Sequence, residues 1–334
     1  MGKVRMADIA AKVGVSTVTV HNALNGNKGV SDEMREKIQK VADELGYHQM
    51  TAAAKRERNK GGLRNIGVII SEKYLAAYTT FYWKMYQEMA LAATEKSCMV
   101  TVEILKQEME DEMIVPCIAK EQTVDALILM GDTSRDYIHY LKKNVDLPIV
   151  FLDFYDNELA KDAVIADNFH GMYLMTEYLY EHGLTKLAFV GSIHFSSSIM
   201  DRYCGFSKAV LEHRDVTPAE WILEDRDERG QIEIHLPEQM PEAFVCNCDL
   251  TAGLLMLELE KRGISVPEDV SVVGFDNYLY PGFPDLKITS YEINTKAMVK
   301  VALEKALKQI RGAASGKNME IVSGQLVPKE SVKL

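Results

Sequence analysis

Two hydrophobic periods divide this chain. Through residues 6–46, apolar side chains recur at spacings of three and four, which predicts three short helices. The first, over about 6–13, puts Met6, Ile9, Ala10 and Val13 on one face and stops at Gly14. The second opens at Ser16, a residue suited to N-capping, and runs to about Leu24, with Val20, Ala23 and Leu24 turned inward. The third is capped by Ser31, sets Asp32 and Glu33 in its positive first turn and ends at Gly46. Its stripe is Met34, Ile38, Val41 and Leu45, and three stripes of this size close one very small core.

From Ile66 onward the pattern changes. Apolar runs at 66–70, 99–105, 126–130, 149–152, 187–190, 243–245 and 270–275 read as buried strands. They alternate with helix-length segments such as 81–96, 169–182, 201–213 and 250–262. Repeated βα units imply doubly wound parallel sheets with ligand groups at the carboxyl ends of the strands. The stretch is longer than one such sheet comfortably uses, so two similar lobes facing across a cleft are expected. The division is then an all-α head at 1–47, a linker at 48–64 and a bilobal α/β body at 65–334. One lobe takes about 65–160 and 292–320, the other about 161–291 and 321–334. The linker, HQMTAAAKRERNKGGLR, is basic and nearly without long apolar side chains, so alone it buries too little to offset its ordering entropy.

Composition sharpens this division. With 47% apolar and 26% charged residues the chain is globular rather than disordered. No apolar run approaches membrane-spanning length, and the N-terminus has no apolar leader core, so a cytoplasmic protein with no membrane partner is expected. The net charge of −11 argues at first against nucleic acid. Yet residues 1–60 hold 11 Lys and Arg against 7 Asp and Glu, and the remainder 27 against 42, so a head of +4 precedes a body of −15. A basic head on an acidic body suits contact with phosphates at one end only. The five cysteines are odd in number and scattered; Cys246-x-Cys248 lacks a second pair, and buried thiols in a reducing compartment are expected, with no metal.

Helix, tight turn at Gly14 and Ser-capped second helix make a helix-turn-helix arrangement. Opposite its inward side the second helix turns Thr17, Val18, His21 and Asn22 outward. Asn22 suits bidentate pairing with adenine, Thr17 several base edges or a phosphate, and the Val18 methyls a thymine methyl. Ser16, Lys3 and Arg5 suit phosphates. On spacing alone the alternative is an ordinary αα-hairpin with a polar exterior. No Gly-x-Ser-x-Gly elbow accompanies Ser196-Ser197-Ser198, and Gly253, Gly263 and Gly274 form no phosphate loop, so neither an enzyme nor a cofactor is expected.

Residues 4–47 closely resemble the DNA-binding head of the lactose/galactose repressor family. The Asp-Ile-Ala, Gly-Val-Ser, Thr-Val and Ala-Leu-Asn elements stand at that family's spacing, before a third helix that opens Val-Ser and closes Leu-Gly-Tyr. The resemblance implies Thr17, Val18 and Asn22 as base-reading positions. Three places depart from it: Arg5 replaces a capping Thr, His21 a Ser, and the linker lacks the Pro and the Ala-Arg-x-Leu element of a minor-groove hinge helix. Arg56 holds the wedge position, which implies weaker DNA bending.

The likeness extends through the body, on Ile66-Gly67-Val68-Ile69, Val150-Phe151-Leu152-Asp153, Asp167-Asn168-x-x-Gly171, Asp201 to Phe206, Val266 to Asn277 and Pro328-Lys329-Glu330-Ser331. These resemble a periplasmic-binding-protein-like regulatory domain and imply that Asp153, Ser198, Arg202 and Asp276 bind effector. A guanidinium and a carboxylate each make paired hydrogen bonds that suit adjacent sugar hydroxyls. Tyr74, Tyr78, Phe81, Tyr82, Tyr278 and Tyr280 stand where aromatic rings can stack on a sugar's C–H face. The plainer alternatives are a core-facing helix start for Phe81 and Tyr82 and a surface helix for Arg202. At Cys248-Asp249 the family often has Asn-Asp, so no effector contact is expected at 248.

The expected protein is a homodimeric repressor of a carbohydrate operon, bound to a pseudo-palindromic double-stranded operator and controlled by a sugar-like effector in the cleft. The alternatives are the same regulator with a purine or other corepressor, a sugar receptor without DNA function, and an α/β enzyme. No leucine heptad follows Pro328, so no tetramer helix is expected.

Overall fold

The structure, a computed structural model, describes residues 6–24, 29–45, 63–75, 81–156, 162–281, 284–312 and 318–333. It divides into two compact units, Met1–Leu63 and Arg64–Leu334.

The first unit holds α1 (Met6–Val13), α2 (Thr17–Leu24) and α3 (Asp32–Glu44). Gly14 at φ +80° ends α1: its N–H and that of Val15 both donate to the Ala10 carbonyl, at 2.9 and 3.0 Å. Ser16 Oγ then accepts the Thr19 N–H at 3.0 Å and starts α2, and Ser31 Oγ accepts the Met34 N–H at 3.3 Å at the start of α3. The core is Ile9, Ala10, Val20, Ala23, Leu24, Ile38 and Ala42. Arg35 donates to the carbonyls of Asn22 (3.3 Å) and Ala23 (2.8 Å), so a cation satisfies the negative end of α2.

Among its described residues the second unit carries twelve strands: β1 (Arg64–Ser71), β2 (Cys98–Leu105), β3 (Ala126–Met130), β4 (Ile149–Leu152), β5 (Asp162–Ala166), β6 (Leu187–Val190), β7 (Ile222–Leu223), β8 (Ala243–Cys246), β9 (Ser271–Asp276), β10 (Thr289–Glu292), β11 (Asn318–Val322) and β12 (Gln325–Val327). They form two six-stranded sheets, ordered β11-β5-β4-β3-β1-β2 and β12-β10-β9-β8-β6-β7. Every pairing is parallel except that of β12 with β10. Helices α4 (Phe81–Glu95), α5 (Arg135–Asn144), α6 (Asn168–Glu181), α7 (Ser197–Glu212), α8 (Asp249–Lys261) and α9 (Thr295–Ile310) accompany them. Side chains cap four of these: Ser134 on α5, Asp167 on α6, Ser196 on α7 and Asn294 on α9. Helices α6 and α7 pack without a spacer. A Cβ at Gly205 would stand 2.0 Å from the Phe169 carbonyl oxygen.

The chain passes between the sheets three times, after β5, after β10 and after β11. The passages lie together. Asp167 N–H donates to the Val322 carbonyl at 3.1 Å, Gly324 N–H to Tyr291 Oη at 2.9 Å and Gln325 Nε2 to Glu292 Oε2 at 2.7 Å. The last passage explains the one antiparallel pairing. Strand β11 runs toward the gap between the lobes and continues straight through, so β12 runs away from it while β10 runs toward it.

Three expectations need correction. Strand β5 belongs to the first sheet although it lies beyond a boundary at 160, because it pairs with β4 and β11; β11 likewise carries that sheet to Val322. Helix α7 begins at Ser197, ahead of 201, because the Ser196 side chain caps it there. Of the five thiols only Cys98, Cys246 and Cys248 are buried; Cys117 and Cys204 are exposed. No helix among the described residues is long and apolar enough to cross a membrane.

Candidate functional site

On α2 the burial follows the predicted faces. Val20, Ala23 and Leu24 are buried, Thr17, Val18 and His21 are exposed, and Asn22 is half-buried. Val18 is 66% exposed, an apolar side chain offered to solvent on an otherwise polar face. Ser16 Oγ also lies 2.8 Å from the Thr19 hydroxyl, so it is engaged as a cap and its neighbourhood offers backbone N–H groups rather than a spare hydroxyl. Lys3, Arg5 and Arg56 lie outside the described residues, as do Tyr78 and most of the linker.

In the second unit the carboxyl ends of strands from both sheets enclose one cavity of about 560 Å³. Tyr74, Phe81, Asp153, Ser198, Arg202 and Asp276 all line it, gathered from segments far apart in sequence. Tyr82 and Tyr280 join them, whereas Tyr278 lines a smaller neighbouring cavity beside Asp249. Cys248 is part of the wall as well. With Phe81 buried and its ring T-shaped against Tyr82 at 5.7 Å, the aromatic end of α4 is both core and cavity wall.

Arg202 organises the floor. Nε donates to Asn168 Oδ1 at 2.8 Å, Nη1 to the Asn247 carbonyl at 2.7 Å, and Nη2 stands 3.4 Å from Asp276 Oδ1. The guanidinium lies over the Phe275 ring, 4.0 Å from its centroid. It is therefore fixed in direction as well as charge and is no surface helix residue.

Each of the two carboxylates beside it has a buried oxygen without a hydrogen-bond partner. Asp153 Oδ2 accepts from the Tyr82 hydroxyl at 2.8 Å, but Asp153 Oδ1 has no hydrogen-bond partner. Asp276 Oδ1 has none either, its approach to Arg202 being an ion-pair distance without hydrogen-bond geometry. Both residues sit in left-handed backbone, Asp153 at φ +68° and Asp276 at φ +99°, a conformation that costs non-glycine residues energy and collects at functional sites. Burial pushes the Asp276 carboxyl up to about 7 against the pull of Arg202, with Asp153 adding to the rise. Burial also raises Asp153, opposed by Arg202 and by the Tyr82 hydroxyl. Two acceptor oxygens thus face the cavity at a cost that ligand donors can relieve.

Ser198 also bridges the lobes. Its hydroxyl donates to the Asp153 carbonyl at 3.1 Å, so it ties α7 to the strand end of the opposite lobe. Two further hydrogen bonds latch the lobes at the same place: Ser197 N–H to Asp132 Oδ2 at 3.3 Å and Tyr155 Oη to Asp201 Oδ1 at 3.2 Å.

Sequence reasoning missed Arg226, which lines the cavity beyond β7. Its Nε and Nη2 grip Asp225 at 3.0 and 2.6 Å. Asp225 also accepts from Ser192 N–H (2.9 Å), Thr251 Oγ1 (2.6 Å) and Asn247 Nδ2 (2.7 Å). Burial alone would raise Asp225, but Arg226 and these donors hold it down at about 2. The run Glu224-Asp225-Arg226-Asp227-Glu228-Arg229 reads as a solvated charge cluster, and no local period betrays its buried pair. Among the described residues no group of three His, Cys, Asp or Glu could hold a metal ion.

Residues 5–49 match the profile of bacterial regulatory proteins of the lacI family, and residues 176–332 that of a periplasmic binding protein-like domain. The chain belongs to the lacI family. The HTH-type transcriptional repressor PurR of Vibrio vulnificus (strain CMCP6) is 25% identical over 338 residues, covering 98% of each chain. Among solved structures, a lac repressor dimer bound to operator and the anti-inducer ONPF superposes with a TM-score of 0.66 at 20% identity, covering 99% of both chains. The transcriptional regulator CelR in complex with cellobiose superposes at 0.67 with 19% identity, covering 98% of this chain and all of that one. These likenesses fix the fold of this lacI-family chain as a helix-turn-helix head with a two-lobed α/β body, and its class as a DNA-binding regulator.

Proposed function

We propose that this lacI-family regulator represses a carbohydrate-utilisation operon and is controlled by a sugar-like effector held between its lobes. The observation that carries the ligand reading is the pair of buried, unpartnered acceptors, Asp153 Oδ1 and Asp276 Oδ1, flanking the fixed guanidinium of Arg202. Adjacent sugar hydroxyls donate to such carboxylates and accept from such a guanidinium, while Tyr74 and Phe81 supply apolar wall for the ring. On the head, Thr17, Val18, His21 and Asn22 read base edges, and Lys3, Arg5 and the amides behind Ser16 hold phosphates. A homodimer presents two such heads to the halves of a pseudo-palindromic operator. Arg56 enters the minor groove electrostatically rather than as a wedge, so phasing measurements should give a smaller bend than a Leu at that position produces.

Calorimetry with neutral sugars, followed by operator titration with and without the ligand that binds, tests this reading. An inducing ligand should weaken operator affinity by about 1–3 kcal/mol, and operator should weaken ligand affinity equally. Sugars that bind nowhere, or that bind and leave operator affinity unchanged, would remove it. Similarity to repressors named PurR favours a second reading, a purine corepressor, whose ring N–H groups also donate to carboxylates. The two part on sign: a corepressor strengthens operator binding.

A further inference from the structure

Resting on the effector reading above, we infer that the cleft takes a sugar bearing an anionic group, a phosphate or a carboxylate, and that Lys73, Arg226 and Arg229 receive that group. The floor and the mouth of the cavity differ in charge. On the floor Asp153 and Asp276 flank Arg202. Around Phe195 at the mouth the ionisable lining residues are Lys73, Arg226 and Arg229, all cations.

Lys73 Nζ lies 5.3 Å from the Phe195 ring centroid and 5.1 Å from that of Tyr74, and no carboxylate forms an ion pair with it. The Arg226 guanidinium carbon lies 5.3 Å from the same Phe195 ring, approached from the other lobe. Its Nε and Nη2 are bound to Asp225, but Nη1 has no partner. Of the nearby acids, Asp132 feels the Lys73 charge but stands beyond ion-pair distance, and each has a backbone partner of its own. Asp132 accepts the Ser197 N–H at the start of α7, Glu72 accepts the Gln107 N–H, and Asp227 accepts the N–H groups of Arg229 and Gln231 within its own turn.

That turn closes the mouth. Gly230, at φ +78°, comes so near the first lobe that a Cβ would stand 3.2 Å from the Lys73 carbonyl oxygen and 3.2 Å from Phe195. Lys73 and the Arg226–Arg229 turn therefore meet across the gap, where an anion bridges both lobes. The body as a whole carries −15 and repels anions at long range, but ions screen that field beyond about 8 Å. Within that distance Lys73, Arg229 and the free Nη1 of Arg226 decide. A guanidinium arm and an ammonium beside an aromatic wall form charge-assisted hydrogen bonds to phosphate or carboxylate.

The test is calorimetry on the full-length protein with glucose, galactose, mannose, fructose and ribose, each compared with its terminal phosphate ester and, for the aldohexoses, its uronic acid. At least one anionic member should bind about tenfold or more tightly than its neutral parent. Lys73→Gln and Arg229→Gln together should erase that ratio; both side chains are accessible, and the ligand-free unfolding temperature reports whether the body stays folded. Phosphate esters and uronic acids in separate arms identify which anion is used. Inorganic phosphate at constant ionic strength, followed by thermal unfolding of the body, should stabilise the parent protein more than the double variant. A neutral sugar that binds as tightly as its anionic derivatives, or an anion preference that survives in the double variant, overturns the subsite while leaving the sugar reading standing. If no member binds and phosphate stabilises both proteins equally, both fall.

Discussion

The two ligand-facing surfaces of this chain are built on opposite plans. On α2 the side chains proposed to read bases are exposed, or half-buried at Asn22, lie within one short segment and owe their direction to helical period alone. In the cleft the corresponding groups are buried and charged, and they come from strand ends up to about 200 residues apart, as between Tyr74 and Asp276. The head offers its chemistry at little energetic cost. The cleft holds carboxylate oxygens without partners at strained backbone positions, so ligand donors have more to satisfy there.

The largest effect expected from this contrast is at Arg202. Arg202→Ala leaves Asp153 and Asp276 buried beside no cation and should cost the body about 3–5 kcal/mol in denaturant unfolding, together with its response to ligand. The loss should be smaller below pH 7, where Asp276 takes a proton. Ile38→Ala should cost the head about 2–4 kcal/mol and abolish operator binding while the body's unfolding transition stays in place. Asn22→Ala should leave both transitions unmoved and lower discrimination at one base pair by about 1–3 kcal/mol, measured by competition between operator variants.

A further effect is with pH. Asp276 is raised to about 7 and Asp249 to about 8, in both cases chiefly by burial, from an ordinary 3.8. Between those limits the folded body holds protons that the unfolded chain has released, so its stability should fall as pH rises from about 4 to about 8 and then level off. Calorimetric unfolding across that range, with Asp249→Asn expected to flatten the upper part, checks the sign. A body that gains stability toward pH 8 would break the account of the floor.

Local period carried the head. Helix limits, both serine caps and the inward trio Val20, Ala23 and Leu24 follow from spacing because each is settled within one turn of chain. The long apolar strands were legible for the same reason. Strand β10 was not: Thr289 and Ser290 are fully buried yet polar, the Thr289 hydroxyl accepting the Lys329 N–H and the Ser290 hydroxyl donating to Asp249, and only tertiary partners justify them. The two-residue β7 and the edge strand β11, with Met319 and Ile321 near half exposure, leave no apolar run to find. In the cavity, resemblance supplied Asp153, Arg202 and Asp276, but Arg226 and Lys73 depend on a turn meeting the other lobe, which no residue pattern encodes.

The three neighbouring passages between the sheets have a mechanical consequence. A single tether would let the halves of the body swivel, shear or part, and different ligands would produce different displacements. Three strands of covalent chain bound side by side through Val322, Tyr291 and Glu292 leave essentially one axis of rotation. A compound that fills the cavity should therefore move the lobes about that same axis whatever its chemistry, which would leave the walls free to change their chemical taste.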